Sequence, residues 1–216
     1  MAGAAPLDEF DLIAGLFAPL TRGNPAARGL TDDAAFLAPR PGLDTVISVD
    51  ALVAGVHFLP DDPPDLIAAK LVGVNLSDLA AKGARPRAVL LAAAFPRDVA
   101  AGWLAAFADG LGRTLAAFDV DLIGGDTVAT PGPLTLSLTA LGEVPAGQGL
   151  ERGGARPGDD LWVSGTVGDG HLGLRVALGE LETLGERHRA ALLDRYRRPR
   201  PRVALGPRLV GLAHAA

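Results

Sequence analysis

A strand pattern interrupted by charge constrains this chain more than any other stretch. From Val46 to Phe58 it reads Val-Ile-Ser-Val-Asp-Ala-Leu-Val-Ala-Gly-Val-His-Phe, so an apolar strand carries Ser48 and Asp50, and Gly55 then leads to His57. Burying a carboxylate in such company is costly unless a cation or a donor meets it. The fold must therefore bring a partner to Asp50.

Further aspartate sites lie at the ends of predicted elements: Asp32-Asp33, Asp78 and Asp126. Taken singly, each has a plain explanation. Asp32 can cap a turn, Asp78 can pair with Lys82 at i+4, and Asp126 can form an Asx turn after Gly124-Gly125. Taken together they invite another. Two carboxylates about 4 Å apart repel by about 4 kcal/mol at an effective dielectric of about 20. Converging aspartates would need protons or cations, and hard oxygen ligands suit Mg²⁺ shared with substrate phosphates. A nucleoside triphosphate site is the resulting expectation.

The rest of the chain supplies a scaffold of mixed strands and helices. Asp8 is placed to cap a short helix running to Phe17, and Gly23 to Thr31 reads as a loop. Strands are predicted over Ala34 to Ala38 and Thr45 to Val49. Pro60 to Pro64 starts a helix that Gly83 closes, with Leu71, Asn75 and Asp78 on one face. Arg87 to Phe95 is a buried strand and Val99 to Phe118 an Ala-rich helix. Val120 to Ile123 forms a strand stopping at Gly124, and Leu134 to Val144 another. A composition shift at Pro145 to Gly149 divides the chain into 1–145 and 146–216, the second part carrying a single predicted strand, Leu161 to Ser164. The class is α+β: an N-terminal α/β domain with a mixed sheet, then an incomplete C-terminal α/β domain, since helices of a complete one would need more strands to cover.

Composition narrows the chemistry. No residue is Cys, which excludes disulfides, thiolate metal sites and cysteine nucleophiles. The net charge of −5 argues against general nucleic-acid binding and suits recruitment of divalent cations. No apolar run reaches membrane-spanning length, and the first residues lack a signal-peptide pattern, so a cytoplasmic protein is expected. The common phosphate loop and the protein-kinase signature are both absent. Gly165-Thr-Val-Gly-Asp-Gly170 follows a predicted strand, but its glycine spacing is wrong for a dinucleotide fingerprint and it reads as a turn.

Gly29-Leu-Thr-Asp-Asp33, Ser48-Val-Asp50, Ala54-Gly-Val-His-Phe58, Asn75-Leu-Ser-Asp78 and Gly124-Gly-Asp-Thr127 occur in the order found in thiamine-monophosphate kinases. Arg152, Pro157-Gly158-Asp159 and Arg198-Pro-Arg-Pro-Arg202 also resemble that family. The resemblance implies ATP-dependent phosphorylation of thiamine monophosphate to thiamine diphosphate, without a covalent enzyme intermediate. It implies that Asp33, Ser48, Asp50, Asp78 and Asp126 hold Mg²⁺ on the ATP phosphates. Gly125, Asp126 and Arg152 would then meet the nucleotide, and His57 thiamine monophosphate. On the residues alone, His57 is equally a solvent-facing loop histidine. The family also implies a homodimer whose sheets close a barrel.

Two positions depart inside the motifs: Val49 replaces a usual Thr, and Thr31 a usual Gly. The family continues with an Asp-x-Ser-Asp-Gly motif that this chain lacks before Ala216. A fragment or truncated product with severely reduced kinase activity is therefore expected. The competing expectations are a nucleotide-binding or dimerising remnant without catalysis, and another ATP-using enzyme of the superfamily. Within that superfamily, selenophosphate synthetase is disfavoured by the missing Cys.

Overall fold

The computed structural model describes residues 9–216; Asp8, the expected first cap, lies outside them. Helix α1 (Glu9–Leu12) passes into a wider π-helical turn at Ile13–Phe17 and a 3-10 turn at Ala18–Thr21. The predicted loop that follows contains a 3-10 helix, Pro25–Leu30, capped by Asn24, whose side-chain oxygen accepts from the Ala26 amide at 3.0 Å. The chain continues through β1 (Leu43–Val53), α2 (Pro64–Ala81), β2 (Arg85–Pro96), α3 (Ala101–Ala117), β3 (Asp121–Thr130) and β4 (Thr135–Pro145). Helices α4 (Asp169–Ala177), α5 (Glu186–Arg197) and α6 (Gly206–Leu209) complete it.

The strands form one mixed sheet of order β1-β4-β2-β3, with β2 and β3 parallel and β4 antiparallel to both neighbours. Helix α3 makes the long crossover that a parallel pair requires. Pro64 begins α2 at a position where a missing N–H costs nothing. Gly83 follows the helix at φ +72°, and a Cβ there would meet Val210 at 2.5 Å.

Helix α2 is the centre of the packing. Leu71, Val72, Leu76 and Leu79 are fully buried, because the sheet covers one side of α2, α3 another, and the segment around Pro199 to Val210 a third. A helix apolar nearly all round is what such a position needs. Each of those side chains contributes about 1.5–3 kcal/mol by leaving water. On the sheet itself, the buried Glu143 carboxylate of β4 is held by Arg87 of β2 at 2.5 Å and by Arg40 at 2.9 Å.

Three expectations are corrected. Residues 34–38 form no strand: Ala35 and Leu37 pack instead against the buried cluster of Ala26, Ala27, Ala88 and Ile123, outside the ladder. The strand expected to stop at Gly124 runs through the glycine pair to Thr130, because Leu90 to Pro96 of β2 offer partners along that length. Leu161 to Ser164 is not a strand; Leu161 and Trp162 are exposed, and no described strand lies beside them to form a ladder. Among the described residues, no helix is long and apolar enough to cross a membrane.

Candidate functional site

Strand β1 and helix α2 meet at a cluster of oxygens. Alternation along β1 directs Ser48 and Asp50 towards the helix, and the i, i+3 spacing of Asn75 and Asp78 turns both to the strand. Ser48 Oγ donates to Asp78 Oδ2 at 2.6 Å. Asn75, completely buried, accepts the Asp50 backbone N–H at 3.0 Å and donates to the Leu71 carbonyl at 2.9 Å. Desolvation, reinforced by Asp78 and partly offset by His57, raises the Asp50 pKa above the usual carboxylate value. Two carboxylates and a hydroxyl thus face one another, among the described residues no cationic side chain is bonded to them, and Asp78 takes Ser48 as its partner while Lys82 donates to the Ala216 carbonyl.

His57 is exposed at the end of the loop that leaves β1. Its Nδ1 accepts the Val53 amide at 3.0 Å, which puts the neutral ring's proton on Nε2, free to meet a ligand. The loop is closed by Gly55 N–H donating to Phe58 O at 2.9 Å, with Gly55 at φ +77° and Phe58 buried beneath.

The other sequence candidates stand elsewhere. Asp126 is exposed on β3, at the opposite edge of the sheet from Asp50. Asp50 aligns with Leu138, Leu91 and Gly125 across the strands, and Asp126 with Ala92. Three strand spacings make about 14 Å. Leu138 and Leu91 are buried under the helices whereas Ala92 is exposed, so Asp126 stands on the open face. Asp33 is exposed in a bend where Asp32 accepts its amide at 2.9 Å. Arg152 is exposed in a 3-10 turn, Arg152–Gly154. Among the described residues, no group of three or more His, Asp or Glu is arranged to hold a metal ion.

Gly125 has a structural reason of its own. A Cβ there would lie 1.9 Å from the Leu91 carbonyl oxygen, so only glycine lets β3 approach β2 at this level. Thr31 adopts φ −110° and donates to the Arg28 carbonyl at 2.9 Å, so the departure from glycine brings no strain. Val49 is exposed on β1. The arginines from 197 to 202 are committed to internal partners: Arg197 to Asp62, Arg198 and Arg200 to Asp194, and Arg202 to Ser164.

Sequence reasoning missed the contacts around Lys70. Its ammonium donates to the His57 carbonyl at 2.7 Å and sits 3.7 Å from the centroid of the Tyr196 ring. Burial pulls its pKa down to about 8 against the opposing effect of Asp62. Nothing in the local pattern joins residues so distant in sequence. Two open clefts, of about 530 Å³ between α2, α3 and Asp194–Pro201 and about 540 Å³ between Arg22, Phe36 and Arg87, lie away from Ser48 and Asp50.

A mixed sheet under two helices, with paired acidic oxygens where β1 meets α2, defines the class. Residues 31–144 match the AIR synthase related protein N-terminal domain, and the chain belongs to that family. Within it, the chain is 52% identical over 202 residues to the thiamine-monophosphate kinase of Caulobacter vibrioides, covering 94% of this chain and 56% of that protein. The crystal structure of the thiamine-monophosphate kinase from Stenotrophomonas maltophilia K279a superposes with a TM-score of 0.82 at 43% identity, covering 97% of this chain and 66% of that one. A structure of AaThiL complexed with AMPPCP and TMP gives a TM-score of 0.76 at 28% identity, covering 100% and 66%. The chain thus spans 56% of the length of the first of these relatives and 66% of each of the other two.

Proposed function

We propose that this chain is the larger part of a thiamine-monophosphate kinase, which transfers the terminal phosphoryl group of ATP to thiamine monophosphate. The observation that carries the reading is the oxygen cluster of Ser48, Asp50 and Asp78, held by Asn75 and short of positive charge. The similarity to thiamine-monophosphate kinases supplies the substrates.

The donor set fits Mg²⁺. Carboxylates and a hydroxyl are hard oxygen ligands, and Mg²⁺ is usually held by one or two carboxylates together with substrate phosphates, not by a complete protein cage. Asp50 and Asp78 would hold it, and Ser48 would turn a lone pair towards it. The bound cation would neutralise charge on the phosphates. Asn75 fixes the β1 backbone at Asp50, so the carboxylate is positioned before substrate arrives. His57 offers its Nε2 proton to thiamine monophosphate. The acceptor phosphate is already ionised, so transfer depends on alignment and charge neutralisation, needs little from a general base, and proceeds without a covalent enzyme intermediate.

Asp33, Gly125, Asp126 and Arg152 complete the proposed site as metal and nucleotide contacts. Ile47 and Val49 are exposed apolar residues on β1, and β1 and β3 are open edges. A homodimer that pairs these sheets would cover both features and bring the Asp126 edge of one copy near the Asp50 edge of the other. The same reading assigns 1–145 to nucleotide, metal and dimer contacts, 146–216 to a second part, and the reaction to the cytoplasm.

The test is formation of thiamine diphosphate from ATP and thiamine monophosphate with Mg²⁺, run beside Asp50→Asn and Asp126→Asn. Activity that both variants retain would refute the metal assignment. Mg²⁺-dependent ATP binding without turnover would select a nucleotide-binding remnant.

A further inference from the structure

The loop bearing His57 is short, exposed at Gly55, Val56 and His57, and joined to the sheet at one end by a single strand. Its own backbone bonds close the turn, and side chains from α2 and α5 fix its exit from outside. Two grips come from one place in the chain, the last turns of α5. Arg197 Nε pairs with Asp62 Oδ1 at 2.7 Å, and the Asp62 side chain is nearly inaccessible, at 3% exposed. The other Asp62 oxygen accepts the Leu59 amide at 3.0 Å, directly after Phe58. Tyr196 is buried, and its ring lies under the Lys70 ammonium that holds the His57 carbonyl.

The alternative, that these contacts only glue α5 to the body, is the plainer one. It does not account for where they end. One path ends on the backbone oxygen of His57 and the other on the amide of Leu59, so both hold the exit of the turn, on either side of the buried Phe58. Charge-assisted bonds withdrawn from water are the stronger kind, and a desolvated cation over an aromatic ring adds to them.

We infer that α5 is a latch on the His57 loop, with Lys70 and Tyr196 as positioning residues that set the His57 ring for its ligand. The latch rests on geometry alone, whereas its consequence for thiamine monophosphate rests on the reading of His57 given above.

Hydrogen exchange on the whole 216-residue chain tests the latch without ligand, through the amides of Gly55, Val56, His57 and Leu59. Tyr196→Leu and Lys70→Met are expected to lower their protection about tenfold, the scale of a desolvated cation–ring contact, while the amides of β2 keep theirs. Tyr196→Phe, which keeps the ring, is expected to retain most of it. Unchanged loop protection in both variants, with β2 intact, would overturn the latch. Thiamine monophosphate binding then tests positioning: Tyr196→Leu should weaken it in the wild-type background and have no further effect in His57→Ala. An effect of equal size in both backgrounds would overturn positioning through His57. If His57→Ala binds thiamine monophosphate as the wild type does while loop protection responds as expected, the ligand reading of His57 falls and the latch stands.

Discussion

Ser48 on β1 and Asp78 on α2 are joined by a hydroxyl–carboxylate hydrogen bond of 2.6 Å, which ties the sheet to its central helix beside Asp50. The serine proton satisfies one oxygen of Asp78, and among the described residues no side-chain donor is bonded to the Asp50 carboxylate beside it. The site is therefore organised but electrostatically unfinished.

Asp50→Asn should raise thermal stability at neutral pH. The Asp50 pKa is raised in the fold, so the native state binds the proton more tightly than the unfolded chain does. Stability is lost as pH climbs through the raised value, and the gain from Asn should vanish well below the ordinary value of 3.8. Thermal melts across that range check it. Added Mg²⁺ should stabilise the wild type more than the variant.

Asn75→Ala should cost about 1–3 kcal/mol, the usual effect of leaving buried partners unpaired. The Asp50 amide and the Leu71 carbonyl both lose a contact. A lower urea midpoint with an unchanged slope would be the signature.

Gly125→Ala and Gly124→Ala should behave differently although they are neighbours. A Cβ at Gly125 collides with the Leu91 carbonyl at 1.9 Å, whereas one at Gly124 would meet only the tip of Leu90, at 3.4 Å. The first should destabilise by about 3 kcal/mol or more and the second by much less. Comparing their denaturation midpoints decides the matter.

Lys70→Met should flatten an alkaline rise in stability. The Lys70 pKa falls from 10.5 to about 8 in the fold, so between those values the unfolded chain binds more protons and stability increases with pH. The wild type should show that increase in urea midpoints measured across the interval, and the variant should not.

What could be read from residue order was whatever periodicity or punctuation encodes. Pro64 and Gly83 bracket α2, and the spacing of Asn75 and Asp78 does put both against β1. What could not be read depends on neighbours distant in sequence. Gly124-Gly125 looks like a strand end, yet β2 extends the ladder past it. Leu161 to Ser164 has a strand's composition and no strand to pair with among the described residues. Motif order likewise says nothing of strand order, and β1-β4-β2-β3 puts Asp50 and Asp126 at opposite edges of one copy's sheet. The Lys70–Tyr196 contact joins α2 to α5 and leaves no local trace.

The exposed indole of Trp162 has a practical use. The chain's other tryptophan, Trp103, is half-buried and stacked on Phe107 with ring centroids 5.4 Å apart. Trp162 should therefore dominate quenching by iodide and the red side of the emission. Any polypeptide that settled over Leu161 to Val163 would announce itself as a blue shift and a loss of quenching, with no label attached.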